Sequence, residues 1–321
     1  MTFQNNGDEN KMMERKKLVM LNPREYEHHM DKYLLHKLEE TPGVEKFARE
    51  FQKHGLERYY SIIYTGSYLK VSEDQFSDVY EILKEACEMI HLTEIPDLYI
   101  FPGSGVEAFA FGSENPIVLI SRRTVDWLTN EELLGLIGHQ VGHIKSGHML
   151  YQDMVRILPT VGNLIGGSTL GIGKLFTGAI EKGLLQWSLM SDLTADRAGL
   201  LTCQNLEDYL KLLMKTGGAP RKYYKKKKEL DTTGFKKQAR EFKALDTDSV
   251  EQLAKLAIIS ERYHPWAVLR ASELLKWVDS GNYQKILDKG DSEVLLCFNC
   301  GSELEVGEVF CGECGEKIWK R

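Results

Sequence analysis

The sequence has no strong excess of charge of either sign and no apolar segment at its start. It contains 41 Lys and Arg against 47 Asp and Glu in 321 residues, a formal net charge of −6. This balance argues against a dedicated nucleic-acid-binding protein, so nucleic acid is not a favoured partner. The first twenty residues, MTFQNNGDENKMMERKKLVM, lack the apolar core of a signal peptide, and we therefore expect a cytoplasmic protein.

Long apolar runs without interruption are also absent. The longest uncharged run, ILPTVGNLIGGSTLGIG at 157–173, is close to the length of a membrane span. It contains Pro159 and several glycines, which disfavour a membrane helix. A buried helical hairpin or a flexible flap is the favoured interpretation, and peripheral membrane contact is the less favoured one.

The hydrophobic fraction of 42% is sufficient for a sizeable core, and most of the apolar pattern is helical. Three short runs, DLYIF from 97, EAFAF from 107 and IVLIS from 117, are separated by Gly and Pro and predict a small sheet. The fold class is therefore mainly α with a small β-sheet. We place a polar tail at 1–23, the main domain at 24–285 and a small module at 290–321.

Two capping boxes mark helix starts. SEDQ at 72–75 predicts a helix that begins after Ser72, and TNEE at 129–132 predicts one that begins after Thr129. The second helix carries His139 and His143, four residues apart and therefore on one face. This is the spacing of the zinc-peptidase helix, although a lone pair of histidines is weak evidence.

A zinc site needs at least a third ligand, and SDLTADRAG at 191–199 supplies candidates. Asp192 and Asp196 lie one turn apart on a helical pattern. One of them could bind the metal while the other orients a histidine. His148 follows His143 by five residues and lies off the ligand face, so we interpret it as a surface or supporting residue.

Four motifs in this order resemble the zinc metallopeptidases related to HtpX and the CAAX prenyl proteases, metallopeptidase family forty-eight, which are gluzincins. EAFAFG at 107–112 resembles the family's edge strand, GLIGHQVGHIKSGH its active-site helix, SDLTADRAG its third-ligand helix, and HPWAVLR at 264–270 its His-Pro segment. The resemblance covers roughly residues 24–280. It implies an α+β gluzincin domain that hydrolyses peptide bonds with zinc.

The resemblance also implies a role for each matching residue. His139, His143 and Asp192 correspond to the zinc ligands, and Asp196 to the residue that orients a ligand. His264 and Arg270 flank the site and would stabilise an oxyanion or steady the ligands. The edge strand implied to pair with an extended peptide or protein substrate contains Glu107, Ala108, Phe109 and Ala110.

Two departures from the family affect the chemistry of the site. Gln140 stands where the family has the glutamate that accepts the proton of the attacking water, and a neutral amide cannot accept that proton. Asp192 replaces a glutamate and shortens the ligand arm by one methylene. We therefore expect strongly impaired hydrolysis or none. Gln140 fits a natural pseudoprotease or an engineered inactive form, and the second departure favours the natural one.

Four of the six cysteines lie in the last 25 residues, as CFNCGS and CGECGE. Two such Cys-x-x-Cys-Gly turns offer four thiolates to a closed tetrahedral site, so we expect a second, structural zinc ion in a zinc ribbon. Such a module usually holds a protein partner. An adaptor acting through the ribbon is thus an alternative to a weak peptidase or a peptide-binding pseudoprotease. The ribbon ligands are Cys297, Cys300, Cys311 and Cys314.

Overall fold

The helix that carries the two predicted zinc histidines runs through the centre of the fold. This helix, α7, spans Asn130–Lys145 and is buried from Glu132 to His143. It begins at a capping box: the Thr129 hydroxyl accepts from the Glu132 N–H, and the Glu132 carboxylate accepts from the Thr129 N–H. The helix start predicted from TNEE is confirmed.

The computed structural model describes residues 15–53, 56–164, 178–224, 230–242, 266–290, 295–297, 302–304 and 310–315. Helices dominate these residues. Before α7 lie α1 Pro23–Tyr26, α2 His29–Glu39, α3 Val44–Lys53, α4 Leu56–Ser67, α5 Ser77–Met89 and α6 Arg122–Trp127. After it lie α8 Met149–Leu164, α9 Gly178–Cys203, α10 Leu206–Thr216, a 3-10 turn Arg221–Tyr223, α11 Thr233–Glu241, α12 Ala267–Asp279 and α13 Asn282–Lys289.

A mixed four-stranded sheet accompanies the helices, in the order β1-β2-β4-β3. β2 pairs with β4 in parallel, whereas β1 with β2 and β3 with β4 are antiparallel. The predicted fold class, mainly helical with a small sheet, is confirmed. β3 is an edge strand, as the resemblance implied. The strands are β1 Leu69–Val71, β2 Asp97–Phe101, β3 Ala108–Phe111 and β4 Ile117–Ser121.

The capping box predicted at SEDQ is wrong, whereas the helix predicted to follow it is present. Ser72 and Gln75 form an isolated bridge, and the Gln75 amide donates to the Lys70 carbonyl. The helix begins instead at Ser77, after Phe76 in the left-handed conformation with φ of 59°. The polar residues thus close a tight turn after β1. Polar side chains can bond nearby backbone groups in a turn instead of capping a helix.

The sheet separates two apolar clusters. β4 is buried along its whole length because its alternate side chains enter opposite clusters. Val118 and Ile120 join residues of α5, α7, α10 and α12, whereas Ile117 and Leu119 join residues of α2, α3, α8 and α9. A strand buried on both faces explains the unbroken apolar run of IVLI.

Two glycines bring α7 and α9 together. A Cβ placed on Gly138 would lie 2.4 Å from the Thr202 Cβ, and one on Gly142 would lie 2.4 Å from the Ala198 Cβ. The two glycines are one turn apart on α7 and share the face that α9 covers. Their missing side chains let α9 approach α7, and this approach places Asp192 and Asp196 beside the histidines.

We expect Gly138→Ala to destabilise the fold despite the higher helix propensity of alanine. The added methyl group has no room against Thr202, and such overpacking costs about 1–3 kcal/mol. Urea unfolding followed by circular dichroism measures the loss. Gly234→Ala in α11 is the matched control, since no atom lies within 4 Å of its added Cβ. Equal effects of the two substitutions would contradict the packing explanation.

The domain bounds predicted at 24–285 and 290–321 stay a prediction. α13 continues past residue 285 to Lys289. Ile286 of this helix belongs to the apolar core, and Lys289 pairs with Glu25 at 2.8 Å. A short hairpin of β5 Leu295–Leu296 and β6 Glu303–Leu304 follows.

None of the described helices is both long enough and apolar enough to cross a membrane. The apolar run at 157–173 begins within α8, and its residues from 165 onward lie outside the described part of the chain. The choice between a hairpin, a flap and membrane contact for this run therefore stays a prediction.

Candidate metal centre and peptide cleft

Three buried side chains from α7 and α9 converge on one point. The Nε2 atoms of His139 and His143 lie 3.2 Å apart, and Asp192 Oδ1 lies 3.3 Å from His143 Nε2. Their ligand atoms all lie within 4.8 Å of one another. The structure thus brings together the three residues that the sequence named as zinc ligands.

The hydrogen bonds of the opposite ring nitrogen favour the metal-binding form of each histidine. His139 Nδ1 lies 3.0 Å from Asp196 Oδ1, and a carboxylate can only accept, so the proton sits on Nδ1. The lone pair of His139 Nε2 then faces the shared point. His143 Nδ1 lies 3.0 Å from His148 Nδ1, which leaves its Nε2 facing the same point.

This set of atoms fits a zinc ion. Zinc binds imidazole nitrogen at about 2.0–2.1 Å, and a tetrahedral site then separates two such nitrogens by about 3.3 Å, close to the distance found. Burial lowers the pKa of His143 to about 3, although the hydrogen bond to Asp192 opposes the effect. The ring is therefore neutral at physiological pH, the form that binds metal.

Asp196 is held ionised behind His139. Burial alone would raise its pKa, but the Arg270 charge and hydrogen bonds outweigh burial and hold the pKa at about 2. Arg270 donates from Nε to Asp196 Oδ2 at 2.8 Å and forms a second, shorter bond from Nη2 to Oδ1. The Tyr209 hydroxyl donates to the same carboxylate at 2.8 Å. Of the two roles that the resemblance implied for Arg270, this geometry matches the steadying of a ligand.

Gln140 faces the edge strand. Its Oε1 accepts from the Ala110 N–H at 2.9 Å, and its side chain is buried. The Ala110 carbonyl accepts from Arg156 Nη1 at 2.8 Å. Both backbone groups that Ala110 directs away from β4 are therefore bonded to side chains. A strand added at this edge could pair with Ala110 only by replacing these two bonds.

The remaining edge-strand residues lie at different depths. The Glu107 side chain is exposed and its carboxylate accepts from the Gly105 N–H at 2.9 Å, within its own loop. Ala108 is partly buried. The Phe109 ring lies under the Arg156 guanidinium, 4.4 Å from ring centre to Cζ, and Arg156 keeps 27% of its side chain exposed. Arg156 thus places a positive charge at the open side of the strand.

Asp153 lies buried beside this strand with an unusual protonation. Its Oδ2 accepts from the Gly112 N–H at 2.8 Å, and its Oδ1 has no hydrogen-bond partner among the described residues. Burial raises the pKa of Asp153 to about 8, because the Arg156 charge offsets the burial only in part. The carboxyl group is therefore mostly neutral at pH 7.

This protonation predicts a pH-dependent effect of Asp153→Asn on stability. A carboxyl whose folded pKa lies above its unfolded value favours folding most at low pH, and this contribution is lost as pH rises from about 4 towards about 8. The neutral amide has no such loss. The stability of the variant relative to the unaltered protein should therefore increase from pH 5 to pH 9 in urea unfolding. A difference independent of pH would contradict the assignment.

The cysteine turns are described in part. Cys297, Cys311 and Cys314 offer sulfur atoms within 4.8 Å of one another, and Cys297 Sγ lies 3.5 Å from Cys314 Sγ. This group fits a zinc-ribbon module. Cys300 and His264 lie outside the described residues, so their predicted roles stay predictions.

Several residues at the site were missed from the sequence or were left with two interpretations. Of the two interpretations of His148, the supporting one matches the structure, because His148 is buried and contacts both His143 and Asp31. Asp31, Arg156 and Tyr209 had no motif that pointed to them. A charged residue on an otherwise apolar helical face was the only available signal, as for Asp31 in α2.

Comparison with known proteins agrees with the arrangement of the site. A model of peptidase family M48 matches residues 73–278, more than half of the chain. The chain belongs to peptidase family M48. Membership of this family supports a zinc-dependent peptidase function for the M48 protein. The resemblance drawn from the four motifs is confirmed.

Two relatives show how far the similarity extends. The plastoglobule-localized metallopeptidase 48 of Arabidopsis thaliana chloroplasts is 28% identical over 271 residues, which cover 83% of this chain and 76% of the relative. An HtpX protease homologue of Streptococcus agalactiae is 31% identical over 111 residues, 34% of this chain and 36% of the relative. No solved structure matches the M48 chain.

Proposed function

We propose that this M48 protein binds extended peptides at a zinc site and hydrolyses them very slowly or not at all. The observation that supports the proposal is the combination on α7 of two converging imidazoles with an amide at the base position. His139, His143 and Asp192 would hold the ion. Bound zinc supplies Lewis-acid polarisation of a peptide carbonyl and activation of water.

The edge strand supports the choice of an extended peptide as ligand. β3 is the outer strand of its sheet, and α7 and α8 lie next to its open side. A peptide added as a further strand would pair through its main chain, and at Ala110 it would replace the hydrogen bonds to Gln140 and Arg156. Arg156 at this edge favours a peptide with an acidic or polar side chain near the reactive position.

Gln140 accounts for the proposed loss of catalysis. Its amide accepts a hydrogen bond from Ala110 but cannot take up a proton at Oε1 or deliver one from Nε2 at neutral pH. Glu132, the nearest preceding carboxylate on α7, is bonded to Thr129 and Lys215 and is buried away from the cleft. Glu132 therefore does not replace the missing base.

Zinc counting combined with peptide binding tests this proposal. Elemental analysis of the full chain should give two equivalents of zinc, and a fluorescein-labelled peptide of denatured casein should bind without being cut. His139→Ala should lose one equivalent together with peptide binding. Cys314→Ser should lose the other equivalent and keep peptide binding. Unchanged zinc content in His139→Ala would refute the metal site.

The cysteine turns motivate the alternative function of an adaptor. We propose a separate module from about residue 290, with Cys300 completing the ligands, and a protein partner bound by it. Removing the chain after residue 290 would then abolish partner capture and leave the helical domain folded. Capture that survives the truncation would refute the adaptor.

The location is a further proposal. We favour the cytoplasm, and the location given in the name of the Arabidopsis relative makes attachment to a lipid surface the alternative. Flotation of the full chain with lipid vesicles separates the two, because a protein that stays at the bottom of the gradient has no lipid attachment.

A further inference from the structure

A buried chain of hydrogen bonds runs from the candidate zinc ligand His143 to the N-terminal helix α2. His143 Nδ1 lies 3.0 Å from His148 Nδ1, and His148 Nε2 lies 3.2 Å from Asp31 Oδ2. Asp31 is fully buried. It also lies outside residues 73–278, the part of the chain that matches the family model.

Asp31 is fixed by two donors other than His148. Trp187 Nε1 donates to Oδ1 at 2.8 Å, and the Thr194 hydroxyl donates to Oδ2 at 2.6 Å. The Thr194 oxygen in turn accepts from the His28 N–H at 3.0 Å. Both oxygens of the carboxylate therefore have donors that hold it in one orientation. Its position is set by α9, the helix that also carries Asp192.

The His148 ring has little freedom to rotate. The Trp187 ring packs against it edge-on, with ring centres 5.5 Å apart, and both its nitrogens have partners. Because an ionised carboxylate only accepts, the proton on His148 sits at Nε2. His148 Nδ1 then carries a lone pair, and among the described residues the donor that meets it is His143 Nδ1–H. The lone pair of His143 Nε2 is thereby directed towards His139 and Asp192.

We propose that Asp31 is a positioning residue for the zinc site, which acts through His148 to fix the tautomer and the ring orientation of His143. The site then has two supports of the same chemistry. His139 is backed directly by the carboxylate of Asp196, whereas His143 is backed by a carboxylate one imidazole farther away. Such partners raise ligand basicity and typically change metal affinity about 10–100-fold.

This inference rests on the proposed zinc site, and zinc affinity of the full chain tests both separately. Competition with a chromophoric chelator at pH 7 should show two zinc equivalents in the unaltered protein. Asp31→Asn should weaken one equivalent about 10–100-fold and leave the cysteine-bound one unchanged. Glu132→Gln is the matched control, a buried carboxylate of α7 changed to an amide away from the metal, and it should leave both unchanged.

Failure of the proposed zinc site and failure of the role of Asp31 give different results. If the unaltered protein binds only the cysteine-held equivalent, the proposed zinc site is wrong. If it binds both and a folded Asp31→Asn variant binds both equally well, the zinc site stands and the role of Asp31 is refuted.

A spectroscopic measurement on the unaltered protein covers the case in which Asp31→Asn fails to fold. Nitrogen-15 NMR of histidine-labelled, zinc-loaded protein distinguishes the two ring nitrogens. His148 should show the tautomer protonated at Nε2, and His143 should be protonated at Nδ1 and bound to metal through Nε2. A His148 protonated at Nδ1 would overturn the proposal, because it would donate to His143 instead of accepting from it.

Discussion

Replacing Gln140 with glutamate should turn the zinc-loaded protein into a measurable peptidase, with hydrolysis faster than that of the unaltered chain by about 10²–10⁴-fold. One carboxylate oxygen can keep the hydrogen bond from the Ala110 N–H, so the side chain should stay in place. The other oxygen can accept a proton, which the amide cannot. Release of a fluorescent reporter from an internally quenched peptide measures the gain.

The control for this gain is the same chemical change elsewhere. Gln152 is a buried glutamine of α8 whose amide bonds Ser188 and Ser191, and Gln152→Glu should yield no activity. A zinc chelator should abolish the activity of Gln140→Glu. If Gln140→Glu stays inactive while zinc and peptide bind, the missing base is not what limits this protein, and a binding function is favoured over a lost peptidase.

Removing the Arg270 charge should lower the free energy of unfolding more than Gly138→Ala or Arg240→Met does. Arg270→Met would leave the buried, ionised Asp196 without its cation, and breaking a buried pair in this way costs about 3–5 kcal/mol. The pKa of Asp196 should rise from about 2, since burial would no longer be outweighed. Zinc should also bind more weakly, because an Asp196 without its two Arg270 hydrogen bonds holds His139 less firmly. Urea unfolding and chelator competition measure the two effects.

An exposed pair provides the comparison for Arg270→Met. Arg240 lies 3.3 Å from Asp279, and more than half of each side chain is exposed. Arg240→Met should therefore cost only about 0–1 kcal/mol. Similar losses for the two variants would show that Arg270 contributes to stability no more than a surface charge.

The sequence predicted those parts of the fold that have local signals. The capping box at Thr129, the three apolar runs and the helix through Asp192 were found, because each depends on neighbouring residues. β1 was missed because it has three residues, of which only Val71 is buried. The polar residues after it mimic a helix cap but form a turn, and local composition does not distinguish these two uses.

The candidate site likewise contains residues that local patterns predicted and residues that they did not. The metal residues His139, His143 and Asp192 were found by spacing on helices and by ordered motifs. Asp196 and Arg270, which support His139, were found through the same motifs. Asp31 and Arg156 were not, since the contacts of His148 with Asp31 and of Ala110 with Arg156 join segments far apart in the chain. Gly138 and Gly142 admit α9 beside α7, a contact between segments that local patterns do not reveal.

Anomalous diffraction at the zinc absorption edge, from crystals of the unaltered chain, would show whether His139, His143 and Asp192 hold zinc. We expect a peak between the Nε2 atoms of the two histidines and the carboxylate of Asp192, in addition to one at the cysteine turns. A peak at the cysteine turns alone, from protein prepared with excess zinc, would contradict the proposed zinc site.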